Sequence, residues 1–286
     1  MRLLFLLFFI SLVVPAIGQK NDLYPDLYNT YFYNPGLINP AYIAREGKAE
    51  VYVFYKHRTG IFQKIASYSV TGSRTFRTKS KSAHLIRAII TNENQGPYIA
   101  TTRGYANYAY QVPLSENTAL MAGAAVGLAQ VAFSAPSATA TGSYKSPDGS
   151  LGLMLRSNNL EAGASMMQIF NSVTEPLITP ISLKRYYNFF VSHGKDLSPF
   201  VKLQGNILWQ LLPSTKDNLV GNILLSYKES ISFGSGIGTK SGLNFFMRFN
   251  IPIEEEDKLA IVISYNSAFS SIPVDALELN ISYLFK

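Results

Sequence analysis

The chain has 286 residues, a formal charge of +7, 47% hydrophobic and 13% aromatic residues, only 15% charged residues, and no cysteine. Disulfides and thiolate metal sites are therefore excluded. The basic balance could serve nucleic acid in a cytosolic protein, but on an exported chain it points to anionic lipid, peptidoglycan or an acidic protein.

Export is read from the first residues. Arg2 supplies a positive start, Leu3 to Val14 an apolar run, and Ala16-Ile17-Gly18 a small-x-small cleavage site, the three parts of a secretory signal peptide over residues 1–18. The apolar run is short for a spanning helix, which needs about 20 residues. No later stretch is long and apolar enough for one, because Asn, Ser, Lys, Arg or Gly interrupts every few residues. A closed β-barrel remains, since closure satisfies every backbone donor and acceptor within the membrane.

Residues 19–47 form an aromatic, Asn- and Pro-rich lead: Tyr24, Tyr28, Tyr31, Phe32 and Tyr33, then Asn34-Pro35-Gly36 and Asn39-Pro40-Ala41-Tyr42. Asn-Pro steps favour turns over regular elements, so this segment is expected to be an ordered arm against or inside the mouth of a barrel formed by residues 48–286. Tyr33, Asn34, Pro35, Asn39, Pro40 and Tyr42 are its candidate partner-binding residues, because tyrosines with polar handles anchor interfaces.

Fourteen strand-like blocks follow, separated by turn signals: 48–58, 64–73, 98–111, 117–131, 134–145, 148–155, 158–169, 184–194, 200–211, 218–228, 230–238, 241–250, 258–267 and 276–285. Several alternate cleanly. Val51, Val53 and Tyr55 oppose Glu50 and Lys56, and Leu277, Leu279, Ile281, Tyr283 and Phe285 oppose Glu278, Asn280 and Ser282. This is the period of two of a strand with one apolar face. The block 117–131 alternates weakly, and its small residues suit a crowded lumen.

The fold class is thus all-β: a transmembrane antiparallel barrel of about 14 strands with an N-terminal arm. Both barrel ends are expected in the periplasm, with short periplasmic turns and longer extracellular links, chiefly 170–183. The segment 74–97, which also holds Arg87, breaks that rule as a long periplasmic link: either it is a functional loop or it hides a further hairpin, with His84 to Ile90 a short strand or helix within it. Its basic residues Arg74, Arg77, Lys79 and Lys81 are candidates for an anionic or acidic partner, although a solvated loop reads equally well.

Signals for catalysis are poor. His57, His84 and His193 show no metal-ligand spacing, and no G-x-S-x-G element is present. Glu254-Glu255-Glu256-Asp257 reads as a solvated turn. Gly234-Ser235-Gly236-Ile237-Gly238 lacks the helix of a phosphate loop and instead suits close approach of bulky lumen side chains. No enzyme, cofactor or metal is expected.

The stretch Tyr33-Asn34-Pro35-Gly36-Leu37-Ile38-Asn39-Pro40-Ala41-Tyr42, following an export signal, resembles the N-terminal element of the PorP/SprF family of type IX secretion outer-membrane proteins of Bacteroidota. Tyr108-Ala109-Tyr110 with Pro113-Leu114, Arg185-Tyr186-Tyr187, Asn222 to Tyr227, Phe233-Gly234-Ser235-Gly236 and Leu277 to Phe285 fall in the family's order. An Arg-x-Gln-Trp-like motif common in that family is missing at Lys56 to Gly60, and the only tryptophan is Trp209.

The resemblance implies a non-enzymatic barrel that anchors, or helps export, a cargo protein with a C-terminal sorting domain, such as a surface adhesin, and a link to secretion or gliding machinery. The alternative is an outer-membrane diffusion or solute channel. Phe54, Leu224, Val262 and Leu284 fall on the inward face by register and favour a filled lumen.

Overall fold

The computed structural model describes residues 21–45, 47–60, 63–134, 141–175, 180–253, 257–267 and 275–285. The expected signal segment and Glu254–Glu256 lie outside them. Fourteen strands close into an antiparallel barrel: β1 (Ala49–Arg58), β2 (Ile65–Arg77), β3 (Ala83–Gln95), β4 (Ile99–Pro113), β5 (Thr118–Ser134), β6 (Thr141–Ser157), β7 (Leu160–Met167), β8 (Tyr186–Ser198), β9 (Val201–Leu211), β10 (Asn218–Tyr227), β11 (Ile231–Gly238), β12 (Gly242–Pro252), β13 (Lys258–Ser267) and β14 (Ala276–Phe285). Each pairs with the next, and β14 closes on β1 from Ala276↔Arg58 to Phe285↔Ala49.

The strands are inverted relative to those of a soluble protein. In β1, Val51, Val53 and Tyr55 face outward while Glu50, Phe54 and Lys56 are buried inside. In β10, Leu219, Ile223 and Leu225 are exposed, and Asn218, Asn222 and Leu224 are buried. An exposed aliphatic and aromatic belt around a polar interior is what a lipid environment selects; in water it would be a large sticky surface.

Two expectations are corrected, and their errors cancel in the strand count. The presumed loop 74–97 is the end of β2, a short turn at 78–82, and the whole of β3. Its basic residues, Arg87 among them, made the segment look like a loop, yet Arg87 and Glu93 point into the lumen and are buried, while Ile86 and Ile90 face outward. Conversely, the expected break at 146–147 is absent: residues 141–145 and 148–155 lie in one strand, β6, in unbroken register with β5. Ser146-Pro147-Asp148-Gly149 has turn chemistry, but Tyr105 Oη donates to Asp148 Oδ2 at 2.6 Å and holds it in the wall.

The ends of β1 and β14 share one rim, here the terminal rim, which carries the turns 78–82, 114–117, 158–159, 199–200 and 228–230, together with Ile253 and Asp257 at the ends of β12 and β13. The opposite loop rim carries the longer link 168–185. In that link, Ile181–Ser182 pairs with Val173–Thr174. The expected link 170–183 is therefore found on the rim with the longer links.

The lipid-facing belt can be tested at Ile223, 61% exposed in the middle of β10. Ile223→Lys should cost about 2–4 kcal/mol in reversible unfolding from lipid vesicles, the price of a charge near mid-bilayer. An unchanged unfolding midpoint would contradict the belt.

Candidate functional site

The lumen is occupied by the chain's own arm. Asn21–Asp22 pairs in parallel with Ile181–Ser182 at the loop rim. From there the arm descends through the barrel and leaves at the terminal rim, where Lys48 N donates to Phe285 O at 2.7 Å. The arm therefore spans the lumen rather than resting at its mouth. Short 3-10 turns at Tyr31–Tyr33 and Pro35–Leu37 compact it.

A non-helical backbone at this depth needs partners for its polar groups, and the wall supplies them. Glu278 of β14 accepts from Asn29 N at 2.7 Å and from Thr30 N at 3.2 Å. Asp26 N donates to Glu93 at 3.2 Å. The arm's carbonyls are met in turn by wall donors: Leu27 O by Lys56 Nζ at 2.7 Å, Ile38 O by Asn188 Nδ2 at 2.8 Å and Ser165 Oγ at 2.5 Å, and Pro40 O by Asn107 Nδ2 at 3.1 Å. Further down, Tyr42 O is met by Arg87 at 2.7 Å, Ile43 O by Arg156 at 2.6 Å, and Ala44 O and Gly47 O by Arg77, each at 2.6 Å.

The Asn-Pro motifs are the seats of the plug. Asn39 Oδ1 accepts from Ala41 N at 2.9 Å, and its Nδ2 donates to Leu153 O and Ala164 O. This carboxamide rests on Gly152 and Gly163, and Pro40 rests on Gly123. A Cβ at Gly152 would lie 2.0 Å from Asn39 Oδ1, and one at Gly123 2.3 Å from Pro40 O. The weak alternation of β5 thus has a cause: its small inward residues make room for the arm. Gly36 does the same in the arm, since a Cβ there would sit 2.4 Å from the Arg87 guanidinium.

Apolar and ionic contacts complete the seal. Tyr31, Phe32, Ile38, Ala41 and Ile43 form one core with Leu85, Met121, Met154, Phe190, Leu208, Leu224 and Phe246, drawn from strands around much of the barrel. On the remaining side Tyr28 packs on Phe54, with ring centroids 5.1 Å apart. Near the loop rim, Asp26 bridges Lys56 at 3.2 Å and Arg58 at 3.4 Å. Deeper, Glu93 pairs with Arg103 at 3.0 Å, both almost fully buried.

Two vestibules flank the plug. One of about 320 Å³ lies toward the loop rim among Tyr24, Asp26, Arg58, Gln210 and Lys240. Desolvation lowers the Lys240 ammonium from its usual range, with Asp217 opposing. The other, of about 360 Å³, lies toward the terminal rim among Tyr33, Tyr42, Glu50, Tyr52, Gln204 and Arg248.

The residues expected to bind partners divide accordingly. Asn34, Pro35, Asn39 and Pro40 are buried, while Tyr33 and Tyr42 border the terminal-rim vestibule. The four basic residues do not act together. Arg77 grips the arm, whereas Arg74, Lys79 and Lys81 are exposed at the terminal rim. Sequence reasoning missed Glu278, Lys56, Arg87, Asn107 and Asn188 as holders of the arm. Their signal was a polar side chain on the inner face of a strand, legible only once an occupant of the lumen is known.

Comparison with known proteins agrees with this architecture. The family model described as "Type IX secretion system membrane protein PorP/SprF" matches residues 21–283. No curated protein matches the chain. Among solved structures, it resembles the TodX deltaS2S3 mutant monoaromatic hydrocarbon channel, with a TM-score of 0.58 and 10% identity over 87% of this chain and 94% of that one. It also resembles the Ralstonia pickettii toluene transporter TbuX, with a TM-score of 0.57 and 11% identity over 91% and 95%. A third is Acinetobacter baumannii outer membrane protein Omp33, with a TM-score of 0.55 and 9% identity over 84% and 99%. At these identities the likeness is one of fold.

Gly152→Val tests the seat. The added side chain would collide with Asn39. The barrel should still form, judged by heat-modifiable gel migration, but residues 21–45 should become open to protease; an arm as resistant as the wild type's would contradict the seating described.

Proposed function

Because the chain belongs to the PorP/SprF family of type IX secretion system membrane proteins, we propose that it is a non-enzymatic outer-membrane barrel that binds and anchors, or assists export of, a secreted cargo protein with a C-terminal sorting domain, such as a surface adhesin. The observation that carries this reading is the filled lumen. A barrel packed with its own backbone offers its rims, not its bore, to other molecules.

On this reading the terminal rim, with its short turns, faces the periplasm, and the loop rim faces the exterior. The link 168–185 is the chief candidate surface for cargo. It exposes Phe170 and Val173, and its strand Ile181–Ser182 is tied to the start of the arm. At the terminal rim, Arg74, Lys79 and Lys81 are available to anionic cell wall or to periplasmic machinery of secretion and gliding. A solute channel is the competing reading, suggested by structural neighbours titled as hydrocarbon channels and transporters. The apolar core and ionic contacts of the arm weigh against it.

Affinity purification of the tagged protein from outer membranes tests the proposal. A large exported protein carrying a C-terminal sorting domain should co-purify, and recovery of the barrel alone would contradict cargo anchoring. In the same experiment, combined Arg74→Ser, Lys79→Ser and Lys81→Ser should leave the barrel assembled and the cargo bound, yet reduce recovery of periplasmic partners. Arg77 is left in place because its replacement would loosen the arm.

A further inference from the structure

The terminal-rim vestibule contains polar groups that neither the plug nor the barrel uses. Its roof is the arm's Tyr31–Tyr33 turn, and its walls come from β1, β7, β8, β9 and β12. Lys202, Gln204 and Asn206 alternate along β9 and line one side. Asn206 is 3% exposed, and its Nδ2 has no hydrogen-bond partner among the described residues. Its Oδ1 accepts from Gln204 Nε2 at 2.9 Å, which also reaches Ser192 Oγ at 3.1 Å. Tyr33 Oη is likewise buried without a partner.

The charges of this chamber do not cancel. Glu161 is held by Arg45 at 3.0 Å and by Arg156 at 2.7 Å. Glu50 accepts from Tyr52 Oη and Ser73 Oγ, both at 3.3 Å. Arg248 stacks over the Tyr33 ring at 4.6 Å and donates from Nε to Asn250 at 2.7 Å. Neither Arg248 nor Lys202 has an ion-pair partner among the described residues. Two cations are therefore open to an anion.

The spacing describes the ligand. Inward residues two apart on a strand lie about 6.8 Å from each other, so Lys202 to Asn206 spans about 13 Å. A compact anion such as phosphate would meet one of these groups, whereas an extended ligand would meet all three. Side-chain amides and a hydroxyl suit ring hydroxyls and acetamido groups, and Tyr33, Tyr42 and Tyr52 border the chamber. The cavity of about 360 Å³ falls in the range of small-molecule sites.

We propose that this vestibule is a binding site for an acidic saccharide about the size of a disaccharide, its carboxylate held by Arg248 and Lys202 and its hydroxyl or acetamido groups by Gln204, Asn206 and Tyr33. The Tyr33 hydroxyl, buried and without a partner among the described residues, is free to donate to such a ligand. This site is independent of cargo binding at the loop rim, so either can fail alone.

Calorimetric titration of the intact chain in detergent provides the test. The probes are a glucuronic-acid-containing disaccharide, a muramic-acid-containing disaccharide, neutral chitobiose, an acidic tetrapeptide and inorganic phosphate. At least one acidic disaccharide should bind saturably, roughly 10-fold or more tighter than chitobiose, since a charge-assisted contact is lost in the neutral sugar. Arg248→Gln should weaken that binding by roughly 10-fold or more and Tyr33→Phe by roughly 3-fold or more, with heat-modifiable migration retained. Lys216→Ser, exposed at the opposite rim, should leave it unchanged. No saturable binding of either acidic disaccharide would overturn the proposal. So would undiminished binding in Arg248→Gln and Tyr33→Phe, or a preference for phosphate or the tetrapeptide.

Discussion

The structure depends on one constraint: an irregular backbone threaded through a membrane barrel must find a partner for each polar group it buries, or forfeit stability. Glu278 stands at the centre of the solution, accepting two backbone N–H groups from Asn29 and Thr30 and the Thr30 hydroxyl while Lys56 lies 3.7 Å away. Lys56 in turn caps Leu27 O and pairs with Asp26. One carboxylate, one ammonium and a turn of arm thus hold one another. Arg87, Asn107, Asn188, Arg156 and Arg77 repeat the principle along the descent, each aimed at a carbonyl. The inner face of the wall is therefore polar because of the chain that lies against it as much as because of water.

Buried charges cost desolvation and stabilise only when fully partnered. In this barrel they serve register. Each wall donor reaches a particular carbonyl of the arm, so sliding the arm by one residue would strand several guanidinium and amide groups at once. The glycines enforce the same register sterically, since Asn39 and Pro40 fit only over Gly152, Gly163 and Gly123. A single occupied arrangement follows, with its two ends at opposite rims. It ties the first described residues to the link 168–185 and leaves a separate chamber at the other end.

Much of this was legible in the sequence. Alternation identified the barrel and its lipid face, the strand number came out right only because one missed strand offset one split strand, and the inward placement of Phe54, Leu224 and Val262 favoured a filled lumen. The Asn-Pro motifs marked the arm as ordered. What failed did so for physical reasons. In β3, Arg87 looked like a loop charge because its partners, Tyr42 O and Asn107, are distant in sequence. In β6, Pro147-Asp148-Gly149 carried turn chemistry that a tyrosine on β4 overrides. The grouping of Arg74, Arg77, Lys79 and Lys81 followed sequence proximity, whereas strand geometry turns Arg77 to the arm. Alternation alone places a side chain on the inner face; it cannot say what that side chain holds there.

The most direct measurement is single-channel conductance in planar bilayers of the intact protein and of the barrel lacking residues 21–45, each checked for heat-modifiable migration. If the arm is a resident plug, the intact protein passes no steady current and the shortened barrel conducts. Equal, sustained conductance from both would mean that the arm does not close the lumen, and the account of the barrel as a filled anchor would fall.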